Sequence, residues 1–127
     1  MSEQNRFTLA LTQKTGKKHL IAAKVVIEVS APSSFPIPQD HLRSLQMYNR
    51  IASYAFKSYK IEKGYGSYLW KKADEWVKMQ RLPVFIEDTN PMSSAGWTSA
   101  MIIKLHPNAQ YLGKNERGNH TWIYNKK

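Results

Sequence analysis

The chain has 127 residues, 42% of them hydrophobic and 12% aromatic, enough for one domain with a real core but not for two. It has no cysteine, which excludes disulfides, zinc–thiolate sites and thiol catalysis. Nineteen Lys and Arg against nine Asp and Glu give a formal charge of +10, a field that attracts phosphate backbones or acidic protein surfaces.

Residues 1–127 read as a single α+β domain, with 1–5 and 126–127 expected to be flexible tails. Phe7, Leu9 and Leu11 alternate with polar or small residues at strand period, and Ile21, Ala23, Val25, Ile27 and Val29 repeat the pattern after the turn "QKTGKK". The pair predicts a long N-terminal β-hairpin with one apolar face and a charged turn.

Pro32, Pro36 and Pro38 interrupt regular structure, and Asp40 stands where a helix N-cap belongs. From there to about Lys60 the apolar residues Leu45, Tyr48, Ala52, Ala55, Phe56 and Tyr59 fit one face of a helix. On the opposite face Arg43, Arg50 and Lys57 recur every seven residues, with Lys60 beyond them, and no acid follows Asp40 in this stretch. Solvated helix faces usually mix signs, because opposite charges one turn apart support the helix. A stripe of one sign therefore reads as a binding face.

Gly64 and Gly66 break that helix, and Ser67 is the expected N-cap of a second, whose buried stripe is Leu69, Trp70, Ala73, Trp76 and Val77. Lys71 with Glu75 and Asp74 with Lys78 fall at i, i+4 on its solvent side. Pro83 ends the helix and "VFIE" reads as a short strand. "WTSAMIIKLHP" fits helix and strand periods alike. "GKNERGN" is a charged turn before the β-rich "HTWIY", so the C-terminus is expected to form strands or a hairpin in an antiparallel sheet.

The segment "KSYKIEKGYGSYLWKK", residues 57–72, joins the two helices with five lysines, three tyrosines and a tryptophan against the single acid Glu62. Lysines that follow a backbone and rings that stack on bases are what single-stranded nucleic acid requires. Tyr65, between two glycines, is the ring expected to be exposed, whereas Tyr59 and Tyr68 are expected to be buried at helix ends. Lys114 and Arg117 at the C-terminal turn add a second basic patch. The nucleic-acid-binding residues expected are thus Arg43, Arg50, Lys57, Lys60, Lys63, Tyr65, Lys71, Lys72, Lys114 and Arg117.

The order of elements from 40 to 125 resembles a winged-helix domain, which would make 93–106 a recognition helix and 110–125 a wing. The resemblance rests on element order alone.

No chemistry is signalled. His19, His41, His106 and His120 lack metal-ligand spacing, no glycine run forms a phosphate loop, and no serine sits in a nucleophile elbow. No cofactor or metal is expected. His106 and His120 flank the C-terminal hairpin and would need to meet for acid–base cleavage of RNA, a third-ranked reading. The leading expectation is a small, non-enzymatic DNA- or RNA-binding protein, with a composition reminiscent of phage or mobile-element proteins. The alternative is a regulator or inhibitor that docks on an acidic protein. No apolar run reaches membrane-spanning length and the N-terminus lacks a signal-peptide core, so a soluble, cytoplasmic protein without a membrane partner is expected.

Overall fold

The computed structural model describes residues 5–58, 64–89 and 97–126. The tails expected at 1–5 and 126–127 fall mostly outside them, although Asn5 opens the first strand and Lys126 is described. The fold is α+β: strands β1 (Asn5–Thr15), β2 (Lys18–Ser30), β3 (Ile51–Ser58), β4 (Val84–Glu87), β5 (Gln110–Lys114) and β6 (His120–Tyr124), with helices α1 (Gln39–Leu45), α2 (Tyr65–Met79) and α3 (Trp97–Leu105). The strands form one sheet in the order β1-β2-β3-β4-β6-β5. All neighbours are antiparallel except β3 and β4, which run parallel because α2 lies between them in sequence and returns the chain to the same end.

The N-terminal hairpin forms as expected, turning at Gly16 with φ +64, a conformation open to glycine. A bulge near Leu11 and Thr12 shifts its register. On one sheet face Ala23, Val25, Ile27 and Val29 of β2, Ala52 and Tyr54 of β3, Val84 and Ile86 of β4 and Trp122 and Tyr124 of β6 pack against Leu69, Trp70, Ala73 and Val77 of α2 and Ile102 of α3. Ile37 and Leu45, from the proline-rich segment and α1, cover Ile51, Phe85, Leu112 and Ile123 on the other face. That second layer reaches only the β3–β5 half of the sheet.

Residues 40–60 do not form one helix. The helix is Gln39–Leu45, with Pro38 at the cap position and Asp40 in its first turn, and Ile51–Ser58 is a central strand. Ile51 and Ala52 are both fully buried, so each face of β3 is covered where it begins. α2 also starts earlier than expected: Gly64 is its cap at φ 99, and Ser67 lies inside the helix with its hydroxyl donating to the Gly64 carbonyl at 3.2 Å. The segment from Trp97 is a helix. The C-terminal hairpin is hydrogen-bonded to β4 within the main sheet, so it is not a projecting wing, and α3 turns Ile102 into the core.

An aromatic wall joins α2, α3 and β3. Phe56 stacks on Trp70 at 5.2 Å between centroids, and Trp97 meets Phe56 edge-on at 5.5 Å. Gly66 lets this wall close: a Cβ there would overlap the Trp97 ring, whose Cη2 lies 2.8 Å from that position. Alanine is normally favoured over glycine in a helix by about 1 kcal/mol, but overpacking a core costs about 1–3 kcal/mol. Gly66→Ala is therefore expected to lower the midpoint of urea unfolding, and a raised midpoint would mean that the wall yields.

Candidate functional site

Among the described residues no element packs on the other half of the second sheet face, which is built by β1, β2 and β3. Alternation places Arg6, Thr8, Ala10, Thr12 and Lys14 of β1 on it, opposite the face that carries Leu9 and Leu11. Register sets Arg6 against Glu28, Ala10 against Lys24, and Lys24 against Lys57 of β3. Arg6, Thr8, Ala10, Lys14, Ala55 and Lys57 are exposed. Two lysines thus stand side by side on one rung, an arrangement that does not favour a sheet.

Beyond the Ala23–Ser58 rung no described strand flanks β2, and the hairpin continues as a two-stranded arm of about 15 Å to its turn. The arm carries Lys14, Lys17, Lys18 and His19, all exposed. Among the described residues no carboxylate lies within ion-pair distance of Lys14, Lys17, Lys18 or Lys24. From Arg6 to Ile27 the sequence has five Lys and Arg and no acid. Leu20 and Ile21, 57% and 48% exposed, give the arm an apolar component that packing does not require.

The residues expected to bind do not come together. Arg43 is exposed on α1 and Arg50 lies just before β3, whereas Lys57 lies near the far end of that strand, about 23 Å from Arg50 along the chain. The seven-residue stripe is therefore absent, because strand rather than helix links its members. Lys60 and Lys63 lie outside the described residues, as does Tyr59. Lys71 and Lys72 are exposed on α2, in the layer on the opposite side of the sheet from Lys57. Lys72 pairs with Glu75 at 3.4 Å and lies over the Tyr68 ring at 5.6 Å. Tyr65 is half-buried against the core, and Tyr68 is the exposed ring at 50%, the reverse of the expectation. Helix phase explains the exchange, since Tyr65 is one turn from the buried Leu69.

Lys114 is exposed, but Arg117 is held: its guanidinium meets Glu87 at 3.3 Å, and Glu87 also accepts from the side-chain amides of Asn115 at 2.6 Å and Asn119 at 3.0 Å. This cluster fixes the β5–β6 turn to β4. Asp88 accepts from the backbone N–H and hydroxyl of Ser99 at 3.3 and 2.5 Å, an anionic cap on the first turn of α3.

A second cluster was not foreseen. Asp74, expected on the solvent side of α2 beside Lys78, turns inward. Its Oδ1 accepts from the hydroxyls of Tyr54 at 2.7 Å and Tyr124 at 2.5 Å, and its Oδ2 lies 2.6 Å from His106 Nε2. Trp70 Nε1 donates to the Tyr124 oxygen at 3.0 Å, and His106 stacks on Tyr124 at 3.7 Å and 17°. The signal lay in Asp74 being one residue from the buried Ala73, on the edge of the apolar stripe. The partners come from β3, β6 and the end of α3, which no local pattern connects.

Burial is the leading reason that both tyrosine hydroxyls are pushed far above their ordinary value of 10.0, with the Asp74 charge adding to it. A group whose folded pKa is raised contributes stability that is complete below the unfolded value and is lost as pH rises past it. Two of the seven tyrosines are thus expected to ionise only on alkaline unfolding, as a cooperative step in tyrosinate absorbance. Smooth titration of all the tyrosines before the loss of structure would contradict the buried network.

His120 meets the Tyr111 hydroxyl at 2.7 Å and starts β6, whereas His106 stacks on Tyr124 at its end. The two histidines are about 13 Å apart along that strand, too far for one acid–base pair at a single phosphodiester. Among the described residues no group of three or more His, Asp and Glu is placed to hold a metal, and no helix is long and apolar enough to cross a membrane.

Neither protein-family models, nor curated proteins, nor solved structures give a match to this chain. The functional reading therefore rests on the geometry.

Proposed function

We propose that the chain binds nucleic acid without transforming it, laying the hairpin arm and the adjoining open half of the sheet along a phosphate backbone. The observation that carries the reading is the basic surface of β1 and β2, where Arg6, Lys14, Lys17, Lys18 and Lys24 are joined by Lys57 from β3, and Glu28 beside Arg6 is the one acid on these three strands. A two-stranded ribbon suits the major groove of B-form DNA, which is about 12 Å wide. The deep, narrow major groove of an RNA duplex does not admit one, which favours duplex DNA as the partner. Leu20 and Ile21 supply apolar contact to base edges or a wedge between base steps.

The test is a salt-titrated binding assay with generic duplex DNA, duplex RNA and single strands. Duplex DNA is expected to bind most tightly at low salt. Its log affinity should fall with log salt at a slope of about −0.9 per neutralised phosphate, roughly −4 to −5 for this surface. Absence of binding to every nucleic acid at low salt overturns the reading and leaves the same surface for an acidic protein partner.

A further inference from the structure

A cleft of about 450 Å³ opens beside the Asp74 cluster, between the turn after α3 and the end of β6. His106, Asn108, Gln110, Tyr124, Asn125 and Lys126 contribute to its walls. Such a volume falls in the range of small-molecule sites. The His106 side chain is 23% exposed and that of Asp74 is 18% exposed, so the pair sits at the boundary between core and cleft.

The hydrogen bonds define what His106 offers. The carboxylate of Asp74 accepts both tyrosine hydroxyls at Oδ1, so Oδ2 takes the hydrogen of His106 Nε2. Stacking on Tyr124 at 3.7 Å fixes the ring plane, and the backbone N–H of His106 donates to the Ile102 carbonyl at 2.8 Å. Nδ1 has no protein partner among the described residues and, with the hydrogen on Nε2, is an acceptor. Across the cleft Lys126 donates to Gln110 Oε1 and supplies the positive charge. Asn125 between them holds a left-handed backbone at φ 60, a conformation that asparagine adopts more readily than most residues. An imidazole held in one tautomer and one plane is more than the core requires, since Asp74 could be satisfied by the tyrosines and water.

We infer that this cleft binds a phosphorylated sugar, with a hydroxyl donating to His106 Nδ1 and the phosphate facing Lys126. The chemistry is shared by a free sugar phosphate and by the 5′-phosphorylated end of a nucleic-acid chain. The inference stands apart from the arm, which is remote in sequence and built on other strands.

The experiment is NMR titration of the imidazole signals of the full chain with ribose 5-phosphate, ribose and inorganic phosphate. Ribose 5-phosphate is expected to shift the His106 signals saturably, with each half alone weaker by about tenfold or more. His106→Gln keeps a donor near the Nε2 position for Asp74 but removes Nδ1, so it should retain the thermal midpoint while losing about tenfold in affinity. Lys126→Ala, at an exposed position, should weaken ribose 5-phosphate and leave ribose unchanged. A 5′-phosphorylated dinucleotide that binds more tightly than ribose 5-phosphate assigns the cleft to chain ends, and the opposite order assigns it to a free metabolite. His106 signals unmoved by ribose 5-phosphate and dinucleotide alike, or shifts unaltered by both substitutions, overturn the inference.

Discussion

Reversing Lys14, Lys17 and Lys18 to glutamate is expected to abolish detectable duplex binding at moderate salt while leaving the fold intact. The three side chains are exposed and have no ion-pair partner among the described residues, so their loss removes no contact that holds the structure. Each neutralised phosphate contributes about 0.9 to the salt slope, so removing three contacts should flatten it by roughly 2.7 and weaken binding by about 100-fold or more at low salt. The matched control is Lys71 and Lys72 to glutamate on α2, which changes four charge units on the opposite side of the sheet. If that control weakens binding as much per charge as the arm variant, the arm is not the contact and net charge alone attracts the ligand. Leu20→Ala and Ile21→Ala on the arm should weaken binding without altering the salt slope, because apolar contacts release no counterions.

Asp74→Ala is expected to be among the most damaging single substitutions in the molecule. It leaves the Tyr54 and Tyr124 hydroxyls, both on buried residues, without their acceptor, and each such group costs about 1–3 kcal/mol. The expected loss is about 3–5 kcal/mol, close to what removal of one partner from a buried polar pair costs. For a chain of this length each kcal/mol moves the thermal midpoint by about 3–5 °C, which gives a fall of roughly 10–20 °C. Asp74→Asn keeps an oxygen for the tyrosines and should cost clearly less. A loss below about 1 kcal/mol for the alanine variant would mean that water replaces the carboxylate and that the cluster is not buried in solution.

The misread stretch of the sequence is instructive. From Ile51 to Ser58 the chain is a central strand with β2 on one side and β4 on the other. From Ala52 on, Ala52, Tyr54 and Phe56 face the core while Ser53, Ala55 and Lys57 alternate with them, but Ile51 and Ala55 add apolar or small residues to the other face, and so short a run fits helix and strand periods alike. The positive stripe inferred from Arg43, Arg50 and Lys57 followed from the wrong period. Tyr65 and Tyr68 exchanged places for a related reason: α2 begins at Tyr65, ahead of the Ser67 cap that local preference suggests, and this sets which ring faces the core.

What the sequence determined alone was the hairpin, the apolar stripe of α2, the α+β class and the large positive surplus. These follow from alternation, helical spacing, turn residues and composition, all of which act within a few residues of one another. Tertiary structure decided where the charge lies, because a lysine becomes part of a surface only when strand order sets its neighbours. Among the described residues half of one sheet face is left open because the α1 layer stops at β3, and Lys24 stands beside Lys57 because β2 pairs with β3. Asp74, Tyr54, Tyr124 and His106 likewise meet only after two helices and two strands are packed. Their attraction acts over a few ångströms, between residues up to fifty positions apart, and no sequence pattern records a contact made at that separation.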